Sequence, residues 1–162
     1  MTPGLRKFAL TAHVTFSVGW LGAVVCTLAL AVAGLTSQDA QTVRAAYLAL
    51  ELTGWFVLVP LSLASLVTGL VQALGTKWGL FRHYWVLAKL LMNVLATTVL
   101  LLYTQTLGSL ADVAAETTLS SDDLDFLRTP SVVLHSGAAL VLLLVASVNL
   151  LYRGIEGLLD GG

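Results

Sequence analysis

Charge is what this chain has least of. Only 10% of its 162 residues are Asp, Glu, Lys or Arg, against about 25% in soluble globular domains. So few charges, with 57% hydrophobic residues, place the chain among integral membrane proteins. Basic residues are not clustered. The net charge is −1 and no basic run is longer than Arg6-Lys7, which argues against nucleic-acid binding. Cysteine is nearly absent as well. Cys26 stands alone, which excludes an intrachain disulfide, and inside an apolar run it reads as a small packing residue. Methionine is limited to Met1 and Met92, too few for a thioether path that hands on copper. Walker, dinucleotide-binding and Ser-His-Asp patterns are missing, as are internal repeats and low-complexity stretches.

What is present is apolar length. Four runs, 8–35, 47–74, 84–107 and 131–152, each exceed the stretch of about 20 residues that spans a bilayer as a helix. Continuous apolar runs of this length read as helices, because a helix satisfies its backbone internally in lipid. The expected fold is therefore all-α: an antiparallel four-helix transmembrane bundle forming a single domain. The first run is longer than a signal-peptide core and is read as part of the mature protein. Thr36-Ser37-Gln38-Asp39 supplies capping residues, so the second helix is expected to begin near Gln38. Pro60 falls mid-helix and predicts a kink or a freed carbonyl. Thr129-Pro130 reads as the N-cap and first-turn pair of the fourth helix.

The segments between runs differ in character. Residues 75–82 form a tight turn with interfacial aromatics, whereas 108–129 is an acidic loop. Within it Ser120 or Ser121 is positioned to cap a short amphipathic helix carrying Leu124, Phe126 and Leu127. That helix reads as a solvated cover over the bundle mouth, with a substrate lid as the alternative. Arg6, Lys7, Lys77, Arg82 and Arg153 fall on one side of the membrane, Arg44 and Arg128 on the other. The positive-inside rule then predicts a multi-pass cell-membrane protein with both termini cytoplasmic and the acidic loop outside.

Each helix carries its polar residues at helical spacing: His13, Ser17, Trp20 and Thr27; Glu51, Trp55, Ser62, Ser65, Gly69 and Gln72; Trp85, Lys89, Asn93, Thr97 and Thr104; His135, Asn149 and Arg153. Polar groups in lipid turn toward the bundle interior. The hydroxyls read as interhelical glue, at about 0.6 kcal/mol per bond. Lys89 asks for more, since an ammonium within a span costs about 2.5–3.5 kcal/mol on insertion scales. It either snorkels to the headgroups or belongs to a site. Alternating helix direction predicts two clusters. One holds His13, His83, Lys89, Asn93, Gln72 and Asn149 near the cytoplasmic face. The other holds Glu51, His135 and Thr104 near the opposite face, as a hydrogen bond or proton relay. Neither offers the three or four ligands of a zinc site. A pocket with a histidine, a lysine and no carboxylate suits a ligand that brings its own anions. Haem is such a ligand, with imidazole on iron and a cation on a propionate.

The motifs His13-x6-Trp20-Leu21-Gly22, Thr68-Gly69-Leu70 and Trp85-x3-Lys89-Leu90 resemble the membrane superfamily containing the four-helix protoporphyrinogen oxidase and the copper-resistance D-like proteins. They also resemble a related actinobacterial set of four-helix membrane proteins. The resemblance covers the first three helices. In the oxidase branch, a first-helix histidine and a third-helix lysine are associated with b-type haem; by motif these are His13 and Lys89. The oxidase-like proteins carry a further histidine later in the third helix, where this chain has Thr97, Thr98, Leu100, Leu101, Leu102 and Tyr103. The resemblance therefore implies the ligand positions and not that enzyme's activity. It implies His13 as axial ligand, Lys89 as second ligand or propionate partner, and Trp20, Trp85 and Asn93 as pocket walls. The implied protein is a haem b electron carrier or porphyrin-handling protein of the bacterial inner membrane, with a membrane redox partner or a second copy as candidate partners. Two cofactor-free alternatives stand beside it. One is a transporter or channel component hinged at Pro60 and pH-dependent through Glu51 and His135. The other is a scaffold packing through Gly19 and Gly22.

Overall fold

A computed structural model describes residues 2–75, 84–116 and 120–159, with side chains described for 2–75, 87–116 and 120–145. The described residues are helical almost throughout. Helix α1 is Pro3–Thr36, α2 is Ala40–Gly75, α3 is Tyr84–Ala115, α4 is the short Ser121–Leu127 and α5 is Ser131–Leu159. Four of them are long and apolar enough to cross a membrane. Around the bundle, α1 packs between α2 and α5, and α3 closes the ring by packing on α2 and, more loosely, on α5. The described part of the chain is thus the expected all-α four-helix bundle.

Burial is inverted relative to a soluble bundle. Phe56, Phe8, Leu134 and Leu102 are two-thirds exposed or more, whereas Ser62, Ser65, Thr97 and Thr104 are buried. This is the arrangement lipid favours: apolar side chains face hydrocarbon at no cost, and small polar ones let helices approach. Ser65 bonds across helices, whereas Ser62 and Thr104 bond to carbonyls of their own helices. Two apolar layers fill the interior. One, at the loop end, joins Ala31, Tyr47, Leu50, Leu107, Leu110 and Leu127. The other, nearer the middle, centres on Trp20 with Ala23, Val24, Leu58 and Ala96.

The helix ends follow local chemistry. Asp39 accepts from the backbone N–H groups of Gln41 (3.4 Å) and Thr42 (3.0 Å), so α2 starts within two residues of the expected place. Ser120 and Asp123 form a reciprocal capping box on α4, which realises the short helix anticipated in the acidic segment. Pro60 acts upstream of itself. Gly54–Leu58 forms a π turn in which the Val59 N–H donates to the Gly54 carbonyl. Proline has no N–H to give, and its ring crowds the carbonyl four residues earlier; widening the preceding turn relieves both.

Two expectations need correction. Helix α3 does not end near Leu107 but runs through Gly108 to Ala115. The extra turns are held because Leu110, Ala111 and Ala114 are buried, Leu110 and Ala114 against the Tyr47 and Leu127 layer. At α5 the helix begins at Ser131, directly after Thr129-Pro130, and the Pro130 carbonyl accepts from the Leu134 N–H (2.9 Å). Cys26 is exposed rather than packed inside, because it lies off the buried stripe of Ala23, Val24 and Thr27.

Candidate functional site

His13 sits half-buried where α1 crosses the later part of α2. Its Nδ1 lies 3.1 Å from the Ser65 carbonyl oxygen and 3.1 Å from Thr68 Oγ1. A carbonyl oxygen only accepts, so Nδ1 carries the proton and donates. Thr68 can receive that proton because its own hydroxyl donates to the Ala64 carbonyl at 2.6 Å. In the neutral ring this leaves the lone pair on Nε2.

Ser65 joins three helices. Its Oγ is 2.9 Å from Ser17 Oγ on α1, and it accepts from Asn93 Nδ2 on α3 at 3.4 Å. Thr97, one turn further on, donates to Asn93 Oδ1 at 3.4 Å. Lys89 precedes Asn93 by one turn on the same face and lies within electrostatic reach of His13. Gln72 donates to the Ala9 carbonyl at 3.0 Å, one turn before His13 on α1. Parts of the three polar stripes thus meet, with the described members of the expected inner cluster (His13, Lys89, Asn93 and Gln72) in one half of the bundle, whereas Trp55, expected on the inward stripe of α2, is 48% exposed.

Other expected members fall elsewhere. Trp20 is 3% exposed and belongs to the middle apolar layer with Leu58 and Ala96. The side chains of Trp85, Asn149 and Arg153, and all of His83, lie outside the described residues, as does the turn expected at 75–82 beyond Gly75. The outer cluster is looser than expected. His135 is exposed, donates from Nδ1 to the Ser131 carbonyl on its own helix (2.7 Å) and stacks on Tyr103 at 4.3 Å. The Glu51 carboxylate instead lies against Gly108, and Thr104 donates to the Leu101 carbonyl of its own helix at 2.7 Å.

Three ties at the loop end were not apparent from sequence. Arg44 Nη2 donates to the Ala115 carbonyl (2.9 Å), Arg128 Nη2 donates to the Ser37 carbonyl (3.1 Å), and the Tyr47 hydroxyl donates to the Leu127 carbonyl. The two arginines thus meet carbonyls at or beside the C-terminal ends of α3 and α1, a place that favours cations. Their only sequence signal was position near an interface, which was read as orientation.

The donor set bears on what the site can hold. Among the described residues no three His, Cys, Asp or Glu side chains come together to bind a bare metal ion. A single fixed imidazole is a different matter. Backbone acceptance at Nδ1 is the usual way a ligating histidine is oriented, with Nε2 as the donor atom. His13 presents one oriented imidazole and Lys89 one nearby cation, while Trp20 is committed to the core. Comparison with protein-family models, with curated proteins and with solved structures finds no match to this chain.

Proposed function

We propose that this chain is a small integral membrane protein that binds b-type haem in the half of the bundle containing His13, for electron transfer or porphyrin handling. The observation that carries the reading is the His13 ring, held by the Ser65 carbonyl and Thr68 at Nδ1, a tautomer that leaves the Nε2 lone pair to ligate. Motif resemblance in the first three helices points the same way. Haem would supply one-electron chemistry. The chain's own part is to fix the imidazole tautomer, to bring the Lys89 ammonium near a propionate and to set Asn93 beside both. Haem b as cofactor and a membrane redox partner or second copy as partner belong to this proposal, as do a cell-membrane location and cytoplasmic termini.

One observation favours a cofactor-free packing module instead. The His13 ring lies directly over Gly69, with its Cε1 3.1 Å from where a Gly69 Cβ would stand, and Trp20 already fills the core. An absorption spectrum of the detergent-purified protein, oxidised and dithionite-reduced, separates the two. The haem reading expects a Soret band and sharp reduced α and β bands, lost or shifted in His13→Ala and Lys89→Leu. A colourless protein made with ample haem supply supports the packing module, in which Lys89→Leu is tolerated or stabilising. Wild-type pigment in both variants sinks the site assignment.

A further inference from the structure

At the loop end, a cleft of about 490 Å³ opens between α3, α4 and the start of α5. It is lined by Thr106 and Ser109 of α3, by Asp125 and Phe126, and by Arg128 and Ser131. Its two charges have opposite sign and separate surroundings. Arg128 is half-buried; Nη2 is spent on Ser37, while Nε is enclosed with no hydrogen-bond partner among the described residues. Because Nε is enclosed, what Arg128 offers the cleft it lines is the positive charge of its guanidinium. Asp125 is exposed at the rim. The first-turn N–H groups of α5, beginning at Ser131, add positive potential on the Arg128 side.

Below the cleft, toward the membrane middle, the walls turn apolar. Leu134, one turn after Ser131, is 67% exposed, and Leu102, one turn before Thr106, is 66% exposed. Phe126 at the rim is 55% exposed. Cation, helix start, anion and exposed leucines one turn below two of the lining residues together describe an amphiphile. We propose that this cleft binds a phospholipid whose headgroup carries a phosphate and a primary ammonium. The phosphate faces Arg128 and the α5 N-terminus, the ammonium faces Asp125, and an acyl chain lies along Leu102 and Leu134. Asp125 selects against purely anionic headgroups, and a primary ammonium gives it N–H donors that a quaternary one lacks.

The test uses the full chain in nanodiscs of equal parts phosphatidylethanolamine, phosphatidylcholine and phosphatidylglycerol, with protein-retained lipid quantified by mass spectrometry after transfer to detergent. Phosphatidylethanolamine should be enriched about fivefold to tenfold over the other two, the effect of one charge-assisted hydrogen bond at an exposed rim. Asp125→Asn should abolish the preference while leaving the melting temperature unchanged, because the residue is exposed. Arg128→Gln should lower retention of all three, but it also removes the Ser37 bond, so Asp125→Asn is decisive. Equal retention of the three lipids, preference for phosphatidylglycerol, or an unchanged preference in Asp125→Asn overturns the proposal. So does displacement of the retained lipid by soluble phosphoethanolamine at equal concentration, which would assign the cleft to a soluble amine phosphate.

Discussion

The His13 ring lies directly over Gly69, where a side chain would meet it. A Cβ at Gly69 would stand 3.1 Å from His13 Cε1, tighter than ordinary van der Waals contact, and 3.5 Å from Nδ1, within it. The ring has little freedom to yield, because the same Nδ1 is tied to Ser65 and Thr68.

Gly69→Ala should therefore destabilise by about 1–2 kcal/mol, the usual effect of overpacking a filled contact. Gly22→Ala is the control, since nothing stands within 4 Å of its added Cβ. Thermal unfolding in detergent should show a lowered midpoint for Gly69→Ala alone. Equal midpoints in the two variants would mean that the ring moves aside freely.

Ser65→Ala removes a 2%-exposed hydroxyl that meets Ser17 and Asn93. The loss should be about 0.5–1.5 kcal/mol, in the range of interhelical hydrogen bonds in membranes. Because Asn93 would lose the same bond, Ser65→Ala and Asn93→Leu should be non-additive when combined. Strict additivity in a double-mutant cycle would show that the contact carries no coupling.

Tyr47→Phe keeps the ring in the loop-end core and deletes the hydroxyl that meets the Leu127 carbonyl. A loss of about 1 kcal/mol is expected. It should be local, with faster amide exchange in α4 than in α1. Unchanged exchange across residues 120–128 would show that Leu127, buried in the same core, holds α4 without the hydroxyl.

Asp39 gives the bundle a defined acid response. Its pKa is lowered from 3.8, first by the Thr42 hydroxyl and then by the Thr42 and Gln41 backbone N–H groups. A depressed carboxylate contributes stability above its unfolded pKa and loses it as pH falls through the lower folded value. The cap of α2 should therefore weaken as the pH falls below about 4. Asp39→Asn, which caps without ionising, should flatten that part of the curve. Parallel acid-unfolding curves for wild type and Asp39→Asn would place the transition in other carboxylates.

Sequence alone determined the spans, because apolar length and the lack of charge leave a chain few options other than helices in lipid. It also located the distortion near Pro60 and the inward stripe of His13, Ser65, Lys89 and Asn93, since helical periodicity and the cost of polar groups in hydrocarbon are local rules. Tertiary packing decided the rest. Whether α3 stops at Gly108 or continues depended on Leu110 and Ala114 finding Tyr47 and Leu127, residues far away in the chain. Periodicity names a face but not a partner. It placed His13 inside, yet only the crossing of α1 with α2 set its Nδ1 on the Ser65 carbonyl. Arg44 and Arg128 read as charges at an interface until the folded chain brought helix-end carbonyls to them. Hydrogen bonds between residues tens of positions apart are written in no local pattern, because they form only when the helices meet.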